Sequence, residues 1–275
     1  MELRTAIKHF YFYMKNNGHS TNTAVCYRSI LEDFETQYPV SIEDVTLENI
    51  QAYLSKFAHL AASSRNLKRA CLRSFFNWLC DAGYLEKNPS RLIRMEAEAM
   101  KEAKYLSLAE IQKFREAIKV NPRDQVRFEI LLSSGMRVGE IVQLDVGTVK
   151  NRQSFLITGK GKRSRRVYLT KPLMPMIATF VDGRPDNDPL FCSCRGTRLS
   201  VGGVQTLFQT YLSRAGIKNH YSIHCTRHTF GTFVYKRARD LRLTPELLGH
   251  SSPSTTAPYA HVFESDKRKA VNHLY

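Results

Sequence analysis

Five short segments carry the residue types that could do chemistry. Ser133-Ser134-Gly135-Met136-Arg137-Val138-Gly139-Glu140 sets an arginine after a glycine-containing turn, with a carboxylate three residues on. If Gly135 ends one helix and the next begins near Arg137, Glu140 lies one turn away on the same face and can orient the guanidinium. Gly159-Lys160-Gly161-Lys162 places a lysine between two glycines, which let the backbone turn tightly and approach a ligand. His224-Cys225-Thr226-Arg227 puts a titratable imidazole and a permanent cation on one helical face. Leu247-Leu248-Gly249-His250 closes a short helix for which Thr244 is the expected N-cap and Pro245 the first residue. Thr255-Thr256-Ala257-Pro258-Tyr259-Ala260-His261 adds a phenol. Taken singly, each has a plain structural reading too: a surface ion pair, a core histidine beside a paired arginine, a capping histidine, a buried tyrosine.

The charge narrows the partner. Lys and Arg total 41 against 25 Asp and Glu, a formal net charge of +16. Residues 1–100 hold 12 basic and 11 acidic residues, whereas residues 101–275 hold 29 and 14. Such a field attracts polyanions and speeds their encounter. Apolar residues at 43% and charged ones at 24% exclude a mostly disordered chain. No apolar run approaches the ~20 residues of a membrane helix. The start MELRTAIKHF lacks a signal-peptide core, so a cytoplasmic, nucleoid-associated protein is expected. Cys26, Cys71, Cys80, Cys192, Cys194 and Cys225 are expected as reduced thiols. Cys192 and Cys194 have no second pair at zinc-site spacing, and no metal is expected.

The elements that must position these residues are mostly helices. Ser20 caps a segment with Val25, Tyr27, Ile30, Leu31 and Phe34 at helical spacing. Thr46 caps a second, through Leu47, Ile50, Tyr53, Leu54 and Phe57. Residues 63–80 form a third, with an apolar stripe through Leu67, Cys71, Leu72, Phe75, Phe76 and Leu79. Arg65, Arg69 and Arg73 make one ridge beside that stripe, either a solvated basic face or a helix laid against phosphates. Asp81-Ala82-Gly83-Tyr84 stops this helix, and residues 91–104 are polar and weakly patterned. Ser107-Leu108-Ala109-Glu110 then opens a new helix with a capping box. Residues 154–158 and 165–170, rich in β-branched and aromatic types, flank the basic glycine tip as a hairpin. The expectation is a mainly α protein with a small antiparallel sheet (α+β). Its parts are an N-terminal helical domain over 1–95, a linker over 96–104 and a second domain over 105–275.

The order Arg137, Lys160 on a hairpin, H-x-x-R, L-L-G-H and Tyr259 nine residues after His250 resembles the tyrosine recombinase (phage integrase) family, and within it the short Xer-like members. Ser20–Phe34, with Thr23, Tyr27 and Leu31, is similar to that family's N-terminal core-DNA-binding domain. The resemblance implies a site-specific recombinase that cuts and rejoins DNA through a 3′-phosphotyrosyl intermediate, without metal, ATP or other cofactor. Tyr259 matches the nucleophile. Arg137 and Arg227 match the donors that offset charge on the phosphate. His250 matches a donor to a non-bridging oxygen, and His224 the proton acceptor or hydrogen-bond partner on the tyrosine side. Lys160 matches the acid that protonates the leaving 5′-oxygen, with Lys162 as the alternative. Lys162, Arg163, Arg165 and Arg166 would then contact backbone phosphate, and Glu140 would orient Arg137.

Pro258 departs from the family pattern, because a donor-bearing residue usually precedes the tyrosine. It lacks an N–H and biases Ala257 toward extended geometry, which leaves the pose of Tyr259 open. The tail after Tyr259 offers Val262, Phe263, Ala270, Val271 and Leu274 either to a neighbouring subunit or to its own domain. The implied partners are double-stranded DNA and three further copies of the chain on paired sites, with no membrane. Two rivals remain at this point: a type IB topoisomerase-like relaxing enzyme, and an inactive DNA-binding regulator.

Overall fold

Caps and apolar stripes set the helices of the first hundred residues. They are α1 (Leu3–Asn16), α2 (Thr21–Gln37), α3 (Leu47–Ser55) and α4 (Ala62–Asp81). The Ser20 hydroxyl accepts the Thr23 N–H at 3.1 Å and so caps α2. Thr46 and Asn49 form a reciprocal capping box on α3. Leu3, Ile7, Phe10 and Met14 line one face of α1 and are buried. They pack with Leu31 and Phe34 of α2 and with Leu72, Phe75, Phe76 and Leu79 of α4. Tyr53 is buried among them because its hydroxyl has partners, donating to the Ile30 carbonyl at 3.2 Å and to Asp33 Oδ2 at 2.6 Å.

The computed structural model describes residues 1–98, 104–159, 164–238, 240 and 243–249. The chain divides into two compact units, Met1–Ala99 and Met100–Tyr275. Lys160, Lys162, Arg163, His250, Pro258, Tyr259 and the tail lie outside the described residues.

The second unit runs α5 (Leu108–Ile118), α6 (Pro122–Ser134), α7 (Val138–Ile141), α8 (Val146–Val149), β1 (Ser154–Thr158), β2 (Ser164–Tyr168), α9 (Leu173–Val181), α10 (Val201–Arg214), α11 (His224–Ala238) and α12 (Leu243–Leu248). The Ser107–Glu110 box caps α5 as its spacing predicts. Strands β1 and β2 pair antiparallel, Ser154 opposite Tyr168 and Thr158 opposite Ser164. Phe155, Ile157 and Val167 face inward, while Leu156 and Arg166 face out, the period of two a half-buried hairpin requires. The fold is mostly helical with a two-stranded antiparallel sheet, as the sequence predicts. The rings of Phe114, Phe128, Phe208 and Tyr211 form the centre of this core, with centroids 5.3–6.5 Å apart. A fully buried arginine, Arg127, sits beside them. Its Nη1 donates to Asp124 Oδ1 at 2.5 Å, and the Tyr211 hydroxyl donates to the other carboxylate oxygen at 2.7 Å.

Two local expectations change. Helix α12 begins at Leu243, whose N–H reaches Asp240 Oδ1 at 3.4 Å, so Thr244 lies inside the first turn rather than capping it. The Thr244 hydroxyl is buried without a hydrogen-bond partner. The polar stretch after residue 91 is not loose at its start. Asn66 of α4 reads the Glu96 backbone in both directions, at 2.9 and 3.0 Å, as a neighbouring strand would. No described helix is long and apolar enough to cross a membrane.

Candidate active site

The site begins with a helix that has to stop. Gly135 ends α6 in the left-handed conformation, φ +63°, which L side chains rarely adopt. Space also demands glycine here. A Cβ would stand 2.5 Å from Phe230 of α11 and 2.8 Å from Leu248 of α12. The ends of α6 and α12 and the flank of α11 therefore meet at one point.

Arg227 joins them. It is 2% exposed, and its fork donates to the Gly135 carbonyl at 2.8 Å and to the Leu248 carbonyl at 2.5 Å. These are helix-end carbonyls, which lack partners inside their own helices. One buried guanidinium thus binds the turn that precedes Arg137 to the turn that precedes His250. His224 lies one turn earlier on α11, as its first residue.

Two residues past Gly135, Arg137 is the N-cap of α7. Glu140 at the third helical position accepts the Arg137 backbone N–H at 2.7 Å and Arg137 Nη1 at 3.0 Å. The guanidinium remains 40% exposed and so is available to a ligand. The same carboxylate also holds Arg165 of β2, whose two terminal nitrogens donate at 2.8 Å each to its two oxygens. Burial alone would raise the Glu140 carboxyl, but Arg165, the Arg137 backbone N–H and the Arg137 guanidinium bring it down to about 2. Glu140 is therefore a carboxylate at neutral pH.

The imidazoles are tuned the other way. Desolvation, then the charges of Arg227 and Arg137, hold His224 below its ordinary value. His228 is pushed to about 4 by burial, by His224 and by Arg227. Its ring meets that of His224 edge-on, with centroids 4.8 Å apart. Neutral His224 suits an acceptor role beside two permanent cations.

Of the residues singled out by sequence, the structure brings Arg137, Glu140, His224 and Arg227 into one neighbourhood. The others of that set, Lys160, His250 and Tyr259, lie outside the described residues, though β1 and Gly249 lead directly to two of them. Arg165 was expected on backbone phosphate. Its side chain is instead 9% exposed and turned onto Glu140, because position 165 faces inward on the hairpin. Arg166 faces outward and donates to Ser154 at 3.3 Å. The arginine ridge of α4 also differs from a free basic face. Arg65 and Arg69 both bond Glu96, and Arg65 adds the Ala58 and Leu60 carbonyls. Only Arg73 of that ridge lies away from the Glu96 cluster.

Comparison with known proteins settles the kinship. Residues 104–266 match the phage integrase family, and residues 7–83 match the phage integrase N-terminal SAM-like domain. The chain belongs to the phage integrase family. It is 34% identical to the tyrosine recombinase XerC of Caldanaerobacter subterraneus subsp. tengcongensis over 244 residues, covering 84% of this chain and 69% of that relative. It is 30% identical to the tyrosine recombinase XerD of Staphylococcus epidermidis over 282 residues, covering 96% of both chains. The fold matches a lambda integrase tetramer bound to a Holliday junction with a TM-score of 0.75, at 19% identity, over 92% of this chain and 78% of that one. The protein is thus an enzyme of the tyrosine recombinase family, which breaks and rejoins DNA.

Two residues beside this neighbourhood have contacts that differ from, or go beyond, the sequence expectation. Arg165 carried a signal, the inward phase of its strand, hidden by the run of basic residues around it. Thr229 carried none. Its hydroxyl accepts the Leu106 N–H at 2.9 Å and donates to the Cys225 carbonyl at 2.8 Å, tying the entry of the second unit to α11.

Proposed function

We propose that the chain is a site-specific recombinase that cleaves one DNA strand by attack of Tyr259 on a phosphodiester. The attack forms a 3′-phosphotyrosyl bond and releases a 5′-hydroxyl. A second 5′-hydroxyl reverses the step, so the bond energy is kept and ATP is not needed. Arg137 and Arg227 offset the charge that builds on the phosphate, taking the place of the metal ions that other nucleases use. His224 accepts the phenolic proton or its hydrogen bond, His250 donates to a non-bridging oxygen, and Lys160 protonates the leaving oxygen, with Lys162 the alternative. The observation that carries this reading is the buried Arg227 fork, which links the turn before Arg137 to the turn before His250. A donor set fixed before substrate arrives needs no reorganisation during reaction.

Residues 1–95 serve as the core-DNA-binding domain, 96–104 as the linker and 105–275 as the catalytic domain with its tail. The working form is a tetramer on paired duplex sites at the nucleoid, with tails exchanged between subunits. The lambda integrase tetramer on a Holliday junction supports that assembly. Arg73, Lys162, Arg163 and Arg166 contact phosphates, and Arg65 and Arg69 do so when Glu96 releases them.

A suicide duplex nicked near the cleavage point tests the reaction. Wild-type protein is expected to form a covalent adduct that Tyr259→Phe does not form. An adduct with Tyr259→Phe removes this nucleophile. Supercoil relaxation by isolated monomers, without paired sites, favours the topoisomerase reading, and no adduct on any site favours the regulator.

A further inference from the structure

We propose that Arg165 is a positioning residue of the recombinase site, and that it acts by cancelling the charge of Glu140 so that Arg137 keeps its own charge for the phosphate. The inference rests on the reading of Arg137 as a phosphate donor. It starts from the count of charges. Glu140 holds Arg137 through its backbone N–H and Nη1, at 2.7 and 3.0 Å. Alone, that pair would be neutral, and a neutral pair is a poor partner for an anionic transition state. Arg165 adds a second cation on the same carboxylate, at 2.8 Å through each terminal nitrogen. Its Nε is buried with no hydrogen-bond partner among the described residues, and its ion pair there is with Glu140. Arg137 is left 40% exposed and Arg165 only 9%, so the surplus positive charge of the triad faces outward on Arg137.

The placement of Arg165 also couples three chain segments. It belongs to β2, the strand that leaves the hairpin tip carrying Lys160. Its carboxylate partner fixes the start of α7. On its other flank it fills the space beside Gly249, the residue before His250, where a Cβ would stand 2.7 Å from Arg165 Cδ. Glycine at 249 therefore serves Arg165 as well as its own positive φ of +64°. A lysine would keep the charge and lose the fork.

Single-turnover cleavage of the nicked duplex tests the inference, together with duplex affinity and the order of the Arg137 Nε–H by 15N relaxation in DNA-free protein. Arg165→Met is expected to slow cleavage by roughly 100-fold, the scale of losing one transition-state donor. Duplex affinity should stay within about threefold, since the interaction acts in the transition state. Arg165→Lys should retain more activity than Arg165→Met. The deciding variant is Arg165→Met combined with Glu140→Gln. With the carboxylate charge gone, about tenfold of the lost rate should return, a coupling that a merely structural pair does not show. The Arg137 Nε–H should be ordered in wild type and mobile in Arg165→Met. Wild-type rates in Arg165→Met, a double variant no faster than the single, or unchanged Arg137 order overturns the proposal. Absence of any adduct with wild type would sink the nucleophilic reading instead, while loss of Arg137 order in Arg165→Met would still support the positioning role.

Discussion

The molecule contains two clusters of similar make-up, a glutamate held by two arginines. In the first unit Glu96 meets Arg65 and Arg69, and in the second Glu140 meets Arg137 and Arg165. Their surroundings separate them. Glu96 is 30% exposed and Glu140 10% exposed. Both carboxyls are lowered, Glu96 chiefly by hydrogen bonds from Arg65 and Glu140 by Arg165 and Arg137 against a large burial penalty. Charge pairs near water are screened and worth little, whereas a desolvated pair holds its geometry because losing one partner strands the other. The Glu96 cluster, nearer to water, would open at less cost. The Glu140 cluster cannot open cheaply and suits fixed chemistry.

The most damaging change should be Arg227→Ala. It removes a charge donor and unties the Gly135 and Leu248 turns, so suicide-substrate cleavage should fall by at least the ~2.7–4 kcal/mol of a lost transition-state donor. Cleavage within tenfold of wild type would detach Arg227 from the site. Glu140→Ala comes next, and it sharpens the comparison directly. The lowered carboxyl, about 2 against an ordinary 4.5, corresponds to on the order of 3 kcal/mol of folding stability. Denaturant titration at neutral pH should show a loss of that order, while Glu96→Ala should barely move the midpoint. Equal losses at the two sites would break the contrast.

The pH dependence follows from the same shift with its sign. A carboxyl lowered on folding stabilises above its unfolded value and loses that contribution as pH falls toward the folded one. The Glu140 contribution should therefore fade between about pH 4.5 and 2, and Glu140→Gln should flatten the curve in that window. His228, lowered to about 4 from 6.5, disfavours folding progressively as pH falls from about 6.5 to 4, and His228→Gln should flatten the curve there. Smallest is the expected effect of Glu96→Gln on the first unit. Duplex affinity should rise modestly and the salt slope steepen as Arg65 and Arg69 become available to phosphate. An unchanged slope would confine those arginines to holding the segment at Glu96.

How much was legible beforehand varies by element. Ser20, Thr46 and the Ser107–Glu110 box mark their helices correctly because capping is a local hydrogen bond between neighbours in sequence. Gly135 marks the end of α6 for an equally local reason, the left-handed turn. Thr244 misled because a serine or threonine before a proline looks like a cap wherever it lies, and the actual first N–H found Asp240. The α4 ridge was legible as a ridge, but its partner Glu96 lies 27 to 31 residues on, beyond any periodicity.

By itself the sequence determined the residue types, their order, the helix starts and the alternation of the hairpin, because each depends on contacts a few residues apart. Tertiary structure alone decided that Arg165 turns inward to Glu140 and that Arg227 spans two helix ends from 92 and 21 residues away. The reason is physical. A guanidinium has several donors and no preferred partner along its own chain, so its assignment waits until packing has placed the carbonyls and carboxylates that desolvation obliges it to satisfy.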